Sequence, residues 1–284
     1  MRSMSLRKRD FVTKPVAKKA MPNKPENRYQ AIIGRVFEKH YAKGATEFIF
    51  NRNEFDAIAK SLKIEPPKNF GDVMYSFRYR NELPTSIAST AAEGREWIIK
   101  GAGKGLYRFK LVKSVRIAPR DDMLTIKVPD ATPEIIVSYA LNDEQALLAK
   151  VRYNRLVDVF LGITAYSLQN HLRTTVKDIG QIEIDEVYVG IDRNGRQFIV
   201  PVQAKGGSDK HGVVQTEQDM AWCAAAFPNL ICRPISAQFM ENDCIVMFEM
   251  AMQDDEVKVV EERHYQLVLG SAISVEDIRQ YSSR

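Results

Sequence analysis

Residues 181–207 read QIEIDEVYVGIDRNGRQFIVPVQAKGG, two β-rich runs on either side of a turn. Asp185 and Lys205 stand in otherwise apolar strand sequence, and a lysine following FIVPV is costly to bury without a negative partner. The turn DRNGR decides which side chains meet. A two-residue Asn-Gly loop puts Asp185 opposite Ala204, on the wrong face of the ribbon. A three-residue loop, Arg193-Asn194-Gly195, with Gly195 left-handed at a bulge, pairs Asp192 with Arg196 and Asp185 with Gln203. Patterning favours the second register. It sets Ile182 and Ile184 with Val200, Val202 and Ala204 on an apolar face, and Glu183 and Asp185 beside Gln203 and Lys205 on the other.

A carboxylate, a carboxamide oxygen and an ammonium at one end of a hairpin suit Mg2+. Asp185 and Gln203 offer hard oxygen ligands and leave positions for water and phosphate. Such a metal polarises a phosphoryl oxygen and acidifies a bound water. Lys205 is placed to stabilise an attacking hydroxide or the charge developing on phosphate. The same spacing also suits a solvated polar face on which Lys205 salt-bridges Asp185 or Glu183, and spacing alone leaves both readings open.

Outward from the hairpin, 284 residues give room for two domains, each with its own core. No apolar run approaches the roughly 18–20 residues that span a bilayer, and no secretory apolar core opens the sequence, so a cytoplasmic protein without membrane contact is expected. Cys223, Cys232 and Cys244 are odd in number, lie in apolar surroundings and fit no common zinc spacing; reduced core thiols are expected. His40, His171, His211 and His264 show no HxxxH or His-Cys pairing, which argues against a structural metal site. Charge is segregated along the chain. Residues 1–120 hold 26 Lys and Arg against 11 Asp and Glu, whereas the remainder holds 15 against 25. A basic front half joined to an acidic back half suggests a polyanion-binding module attached to a part with another task. Solvated surface charge without a partner is the plainer alternative.

Residues 1–26 are basic, Pro-containing and aperiodic, and are expected to be a disordered arm. Residues 27–115 then predict helix, strand, helix, helix and β-hairpin. Ile32, Val36, Phe37 and Tyr41 share one helical face; TEFIF is a strand; Asn51 caps a second helix with Phe55, Ile58, Ala59 and Leu62 at helical spacing. NFGDVMYSFRYRNE is a third helix, and REWIIKGAGKGLYRFKLV a hairpin around a Gly-rich, Lys-bearing loop. This order is that of a winged helix-turn-helix, in which the third helix enters the major groove and the wing follows phosphates. Arg78 and Arg80 then suit base edges or phosphates, and Lys100, Lys104 and Arg108 the backbone of double-stranded DNA. The exposed aromatics that would help read a modified base are Tyr75, Tyr79 and Trp97, although a core position explains them too.

Residues 116–141 read as a linker region with strands in MLTIKV and EIIVSYA. Residues 142–284 read as a second domain. A helical stretch runs from an Asn142 cap through NHLRTT, with Leu147, Leu148, Val151, Leu156, Val157 and Phe160 as a buried stripe and Gly162 as a divider. The hairpin, a helix in GVVQTEQDMAWCAAAF, further strands and a closing helix with a Ser274–Asp277 capping box follow. The whole is an α+β or α/β protein: an N-terminal winged helix and a C-terminal mixed sheet.

EIDEVYVG…FIVPVQAKGG resembles the core motif of the PD-(D/E)XK nuclease superfamily, in which an acid on one strand precedes a (D/E)-x-K tripeptide on the next. Asp185 matches the acid and Gln203-Ala204-Lys205 the tripeptide. Gln203 departs from the general pattern and resembles the Q-x-K variant of Mrr-like restriction endonucleases, which also join a winged helix to a C-terminal nuclease domain. The match covers about thirty residues and is supported by the domain order. The resemblance implies a restriction-endonuclease-like domain and Mg2+-dependent hydrolysis of DNA phosphodiesters, with Mn2+ as a substitute, by a type II-like or modification-dependent homodimer with Asp185, Gln203 and Lys205 as catalytic residues and Asp185 and Gln203 on the metal. Because Gln203 brings no charge, another acid is expected to assist: Glu183 on the site face, Glu186 if the register differs, or Glu144 on the preceding helix. Gln215 and Gln218 on the helix after the lysine are further assistants, and Arg173 offers a phosphate contact. Two other functions fit the same residues, a catalytically silent DNA-binding regulator on a nuclease-like fold and a structure-specific junction nuclease. Retention of both Asp185 and Lys205 argues against the silent regulator.

Overall fold

The computed structural model of the chain describes residues 28–66, 69–79, 82–114, 117–139, 144–206, 211–240, 243–254 and 256–282. The expected arm, the Asn142 cap, Arg80 and the side chains of Tyr75, Arg78 and Tyr79 lie outside the described residues.

The basic half forms α1 (Arg28–His40), β1 (Glu47–Asn51), α2 (Glu54–Ser61), α3 (Phe70–Tyr79), a short α4 (Thr85–Ala88), β2 (Arg95–Gly101) and β3 (Leu106–Lys113). The strands make a three-stranded antiparallel sheet in the order β1-β3-β2. The apolar positions at helical spacing do what their period dictates: Ile32, Ile33, Val36 and Phe37 of α1 and Phe55 and Ala59 of α2 are buried around Phe50, Trp97 and Phe109. Trp97 is therefore core, its indole N–H donating to Thr90 Oγ1 at 2.9 Å. The α2 cap differs from expectation. Asn53 occupies the cap position, while Asn51 Oδ1 accepts from the Asn53 N–H.

Glu54 closes this turn electrostatically. Burial alone would raise its pKa, but donation from Lys39, from the Asn51 N–H and from His40 outweighs it and holds the carboxyl at about 2. A folded pKa below the unfolded one gives stability that is present above the unfolded value and fades as pH falls from about 4.5 toward 2. Because Lys39 is solvent-exposed and screened, acid titration of the N-terminal module is expected to lose on the order of 1 kcal/mol over that window. Glu54→Gln should remove that dependence; an unchanged acid limb in urea melts of the variant would contradict the assignment.

The acidic half is a mixed sheet of eight strands among the described residues. Its order is β4 (Thr125–Pro129), β11 (Glu256–Val268), β10 (Cys244–Gln253), β9 (Ile235–Phe239), β7 (Gln197–Gly206), β6 (Gly180–Ile191) and β5 (Thr164–Val176), with β8 (Ile231–Cys232) beside β7. β5, β6 and β7 run as an antiparallel meander, and β9 lies parallel to β7. Helices α6 (Glu144–Tyr153) and α7 (Leu156–Leu161) cover one face, packing Leu147, Leu148, Val151, Leu156 and Val157 on Val200, Val202 and Ala204. Helix α8 (Val213–Ala226) covers the other, with Cys223 against Ile184 and Ile199. Helix α9 (Val275–Ser282) starts at the expected box, Ser274 and Asp277 each accepting the other's N–H. The three cysteines are free thiols, Cys223 buried and the others half-buried. Among the described residues no helix is long and apolar enough to cross a membrane.

Three expectations are corrected. Residues 164–176 are a strand, not a continuation of the helix, because α7 ends at Gly162 and the segment's Thr, Tyr and Val residues suit a pleated surface paired to β6 along its length. EIIVSY is a short helix, α5 (Glu134–Tyr139), started by Pro133, whose carbonyl accepts from Ile136 and Val137. The region expected as a linker is part of the sheet: β4 pairs in parallel with β11, and Ile117 is buried with Val213, Val246 and Phe248.

The two halves touch through α8. Helices α3 and α8 are in contact, as are α8 and β2. Lys100 Nζ of β2 pairs with Glu217 Oε2 of α8 at 2.5 Å. A Cβ on Gly101 would fall 2.6 Å from the carbonyl oxygen of Ile179, so only glycine allows this approach of the hairpin to the β5–β6 turn.

Candidate functional site

The hairpin turn adopts the three-residue form. The Asp192 N–H donates to Arg196 O at 3.1 Å, the Gly195 N–H to Asp192 O at 3.0 Å, and Gly195 has φ +79°. Asp192 Oδ1 also accepts from the N–H groups of Asn194 and Arg196. The ladder then runs from Ile191↔Gln197 to Glu186↔Val202 and stops. One further step brings Asp185 across from Gln203. On its other side β6 pairs Asn170 with Glu186 and Leu172 with Ile184, skipping His171, whose φ is +51°. Asp185 thus stands at a break in the sheet, its Oδ2 accepting from the Ala204 N–H at 2.7 Å. The break corrects the expected single apolar face. Ile182 and Ile184 pack with Val187, Ile199 and Cys223 below α8, while Val200, Val202 and Ala204 pack against α6 and α7.

Strand alternation turns Gln203 toward α8. Its Nε2 donates to Glu183 O at 3.0 Å and to Asp219 Oδ2 of α8 at 3.0 Å, and its Oε1 accepts from Gln215 Nε2 at 3.4 Å. Gln215 and Asp219 are one helical turn apart and so share a face of α8. Lys205 is largely buried, with Nζ 4.0 Å from Glu144 Oε1 at the start of α6. Among the residues expected to form the site, Asp185, Gln203, Lys205, Glu144 and Gln215 are therefore brought together where the middle of β6 meets the last residues of β7.

Electrostatics here are governed by burial. It raises the pKa of Asp185, partly offset by the Ala204 N–H and the charge of Lys205. It pushes Asp219 well above the usual carboxylate range, the Gln203 amide opposing and Asp185 adding to the rise. His211, fully buried with Nε2 2.6 Å from Thr216 Oγ1, is pushed down to about 3 by burial and by Lys205, so it is neutral at ordinary pH. Asp219 and His211 were not expected from sequence. Asp219 had one readable signal, its place four residues after Gln215 and four before the apolar Cys223.

Other candidates lie elsewhere. Glu186 is fully buried on the opposite face, accepting from Arg152 Nε at 2.8 Å and Ser167 Oγ at 2.7 Å, because its pairing with Val202 turns it toward α6. Glu183 enters the site through its backbone carbonyl; its side chain lies 3.3 Å from Arg173 and 3.4 Å from His171. Gln218 is buried on α8. Arg173 lies on strand β5 and not at a helix end. Among the expected phosphate ligands, Lys100 is held by Glu217, Arg108 lies 3.4 Å from Glu47, and Lys104 is exposed in the loop between β2 and β3. That loop and the β5–β6 turn bound a cleft of about 630 Å3 that carries Lys104 and Lys177.

Among the described residues no three His, Cys, Asp or Glu side chains gather as a metal-binding set. The oxygen donors at the site are two carboxyls and a carboxamide. No protein-family model, curated protein or solved structure matches the chain.

Proposed function

We propose that the chain is a divalent-metal-dependent endodeoxyribonuclease that hydrolyses phosphodiester bonds, its basic half a winged helix gripping double-stranded DNA and its mixed-sheet half a nuclease domain. The observation that carries this reading is the approach of Asp185, midway along β6, to Gln203 and Lys205 near the end of β7, with Asp185 and Gln203 held by backbone and helix partners. The donor set is made of hard oxygens, which suits Mg2+ or Mn2+ on Asp185 and Gln203 Oε1. The bound ion would polarise a phosphoryl oxygen there. The Ala204 N–H fixes the Asp185 carboxyl, and Gln215 donates to the Gln203 oxygen. Lys205 brings a largely buried ammonium to the same end, where it neutralises charge on phosphate. The helix, strand, helix, helix order of the basic half, followed by the short α4 and a hairpin, and its exposed Lys104 support a DNA grip.

The test is cleavage of methylated and unmethylated plasmid and phage DNA with Mg2+, Mn2+ or EDTA. Discrete products are expected with either metal, with loss of at least about a hundredfold in rate on chelation. Salt-sensitive DNA binding without cutting under any metal or methylation state would make the chain a silent DNA-binding regulator instead.

A further inference from the structure

Gln203 is where the hairpin departs from the acid-x-Lys pattern it resembles, and its surroundings explain how an amide stands there. Its Nε2 lies 3.0 Å from Glu183 O and 3.0 Å from Asp219 Oδ2. A backbone carbonyl only accepts, so it dictates which end of the carboxamide turns inward. The Asp219 carboxyl oxygen takes the second N–H, and both amide donors are used. Oε1 is left on the side where Gln215 Nε2 stands 3.4 Å away. Rotating the carboxamide by half a turn would set its oxygen against the Glu183 carbonyl, which cannot donate, and offer N–H groups to any cation. Asp219 is only 2% exposed, so water does not readily replace it as the acceptor.

We propose that Asp219 is a positioning residue: it locks the Gln203 carboxamide with its oxygen toward the site, so that glutamine serves as a cation ligand at this strand position. The inference rests on the metal-dependent reading above. It assigns to α8 a part that the motif on β7 lacks, and it makes Gln203 and Asp219 a single unit. Gln203 supplies the donor atom; Asp219, together with the Glu183 carbonyl, keeps that atom the oxygen.

The probe is Mn2+ alone, followed by the loss of its free-ion EPR signal as the full chain is titrated without DNA. Asp219→Leu, which removes the acceptor, weakens Mn2+ binding about tenfold, whereas Asp219→Asn, whose Oδ1 still accepts, stays within about threefold of wild type. Circular dichroism and thermal melting check that each variant folds. Should Asp219→Leu fail to fold, a second pair replaces it. Gln203→Glu sets a carboxyl against Asp219 and loses binding, and adding Asp219→Asn restores a donor and recovers at least about fivefold. A folded Leu variant with wild-type Mn2+ binding, or simple additivity in the pair, overturns this inference and leaves the proposed function standing. Absence of Mn2+ binding by the wild-type chain overturns both.

Discussion

Lys205→Ala is expected to lower the rate of Mg2+-dependent DNA cleavage by about 10²–10³-fold while leaving DNA affinity within about threefold of wild type. The ammonium is largely buried at the end of β7, with Glu144 Oε1 4.0 Å from its Nζ. Such a charge, kept out of bulk water, acts strongly on a developing phosphate charge and has little part in gripping a duplex. Lys205→Arg should recover little, since a planar fork does not replace a compact ammonium in a closed space. Single-turnover cleavage and gel-shift binding, measured together, separate the two effects. Parallel loss of cutting and binding would place Lys205 in the DNA grip, and unchanged cutting would remove it from catalysis.

The largest expected effect on stability lies on the other face of the sheet. Glu186 is fully buried and accepts from Arg152 Nε and Ser167 Oγ, while Tyr188 beside it has its pKa pushed up by burial and by the Glu186 charge. Arg152→Ala leaves that carboxylate with a hydroxyl alone. The cost is expected to be about 3 kcal/mol, or about 6–12 °C in the melting temperature of the C-terminal half. Combining it with Glu186→Gln should return most of the loss, because a neutral amide does not need the guanidinium. Urea melts of the single and double variants read this directly. An Arg152→Ala cost below about 0.5 kcal/mol would mean that water already solvates the carboxylate.

These two experiments bear on a distinction that the sequence left open. Asp185, Gln203 and Lys205 were legible because turn chemistry fixes register: DRNGR admits a three-residue loop with a left-handed Gly195, and register then fixes neighbours. Glu186 was named only against a register error, and the ladder sends it to α6. The apolar stripe of α1 was equally readable, as was that of residues 147–157, although the chain breaks there at Arg155, φ +51°, into α6 and α7 and not at Gly162, which caps α7. Residues 164–176 were not. Their apolar positions fit a helical period as well as a strand, and what decides is the long partner strand β6, which lies beyond any local window. The exchange of faces at Asp185 escaped for a related reason. Alternation holds only while a strand stays in its ladder, and His171, with φ +51°, marks where it does not. Asp219 was hidden because its significance is a contact from α8 to Gln203 on β7, and nothing in QTEQDMA announces a partner sixteen residues away.

The path between the two halves also has a practical side. After β3 the polypeptide crosses the α8 side of the sheet, where Ile117 is buried and Arg120 donates from both backbone and side chain to Glu262, before β4 takes the edge position beside β11. A recombinant fragment opened at residue 142 would therefore strip the far edge and uncover residues 264–268 of β11 as a template for neighbouring chains. Cutting upstream of Ile117 preserves that seam. The C-terminal half, as a piece to be expressed, begins about 27 residues before α6, counting from Ile117 to Glu144.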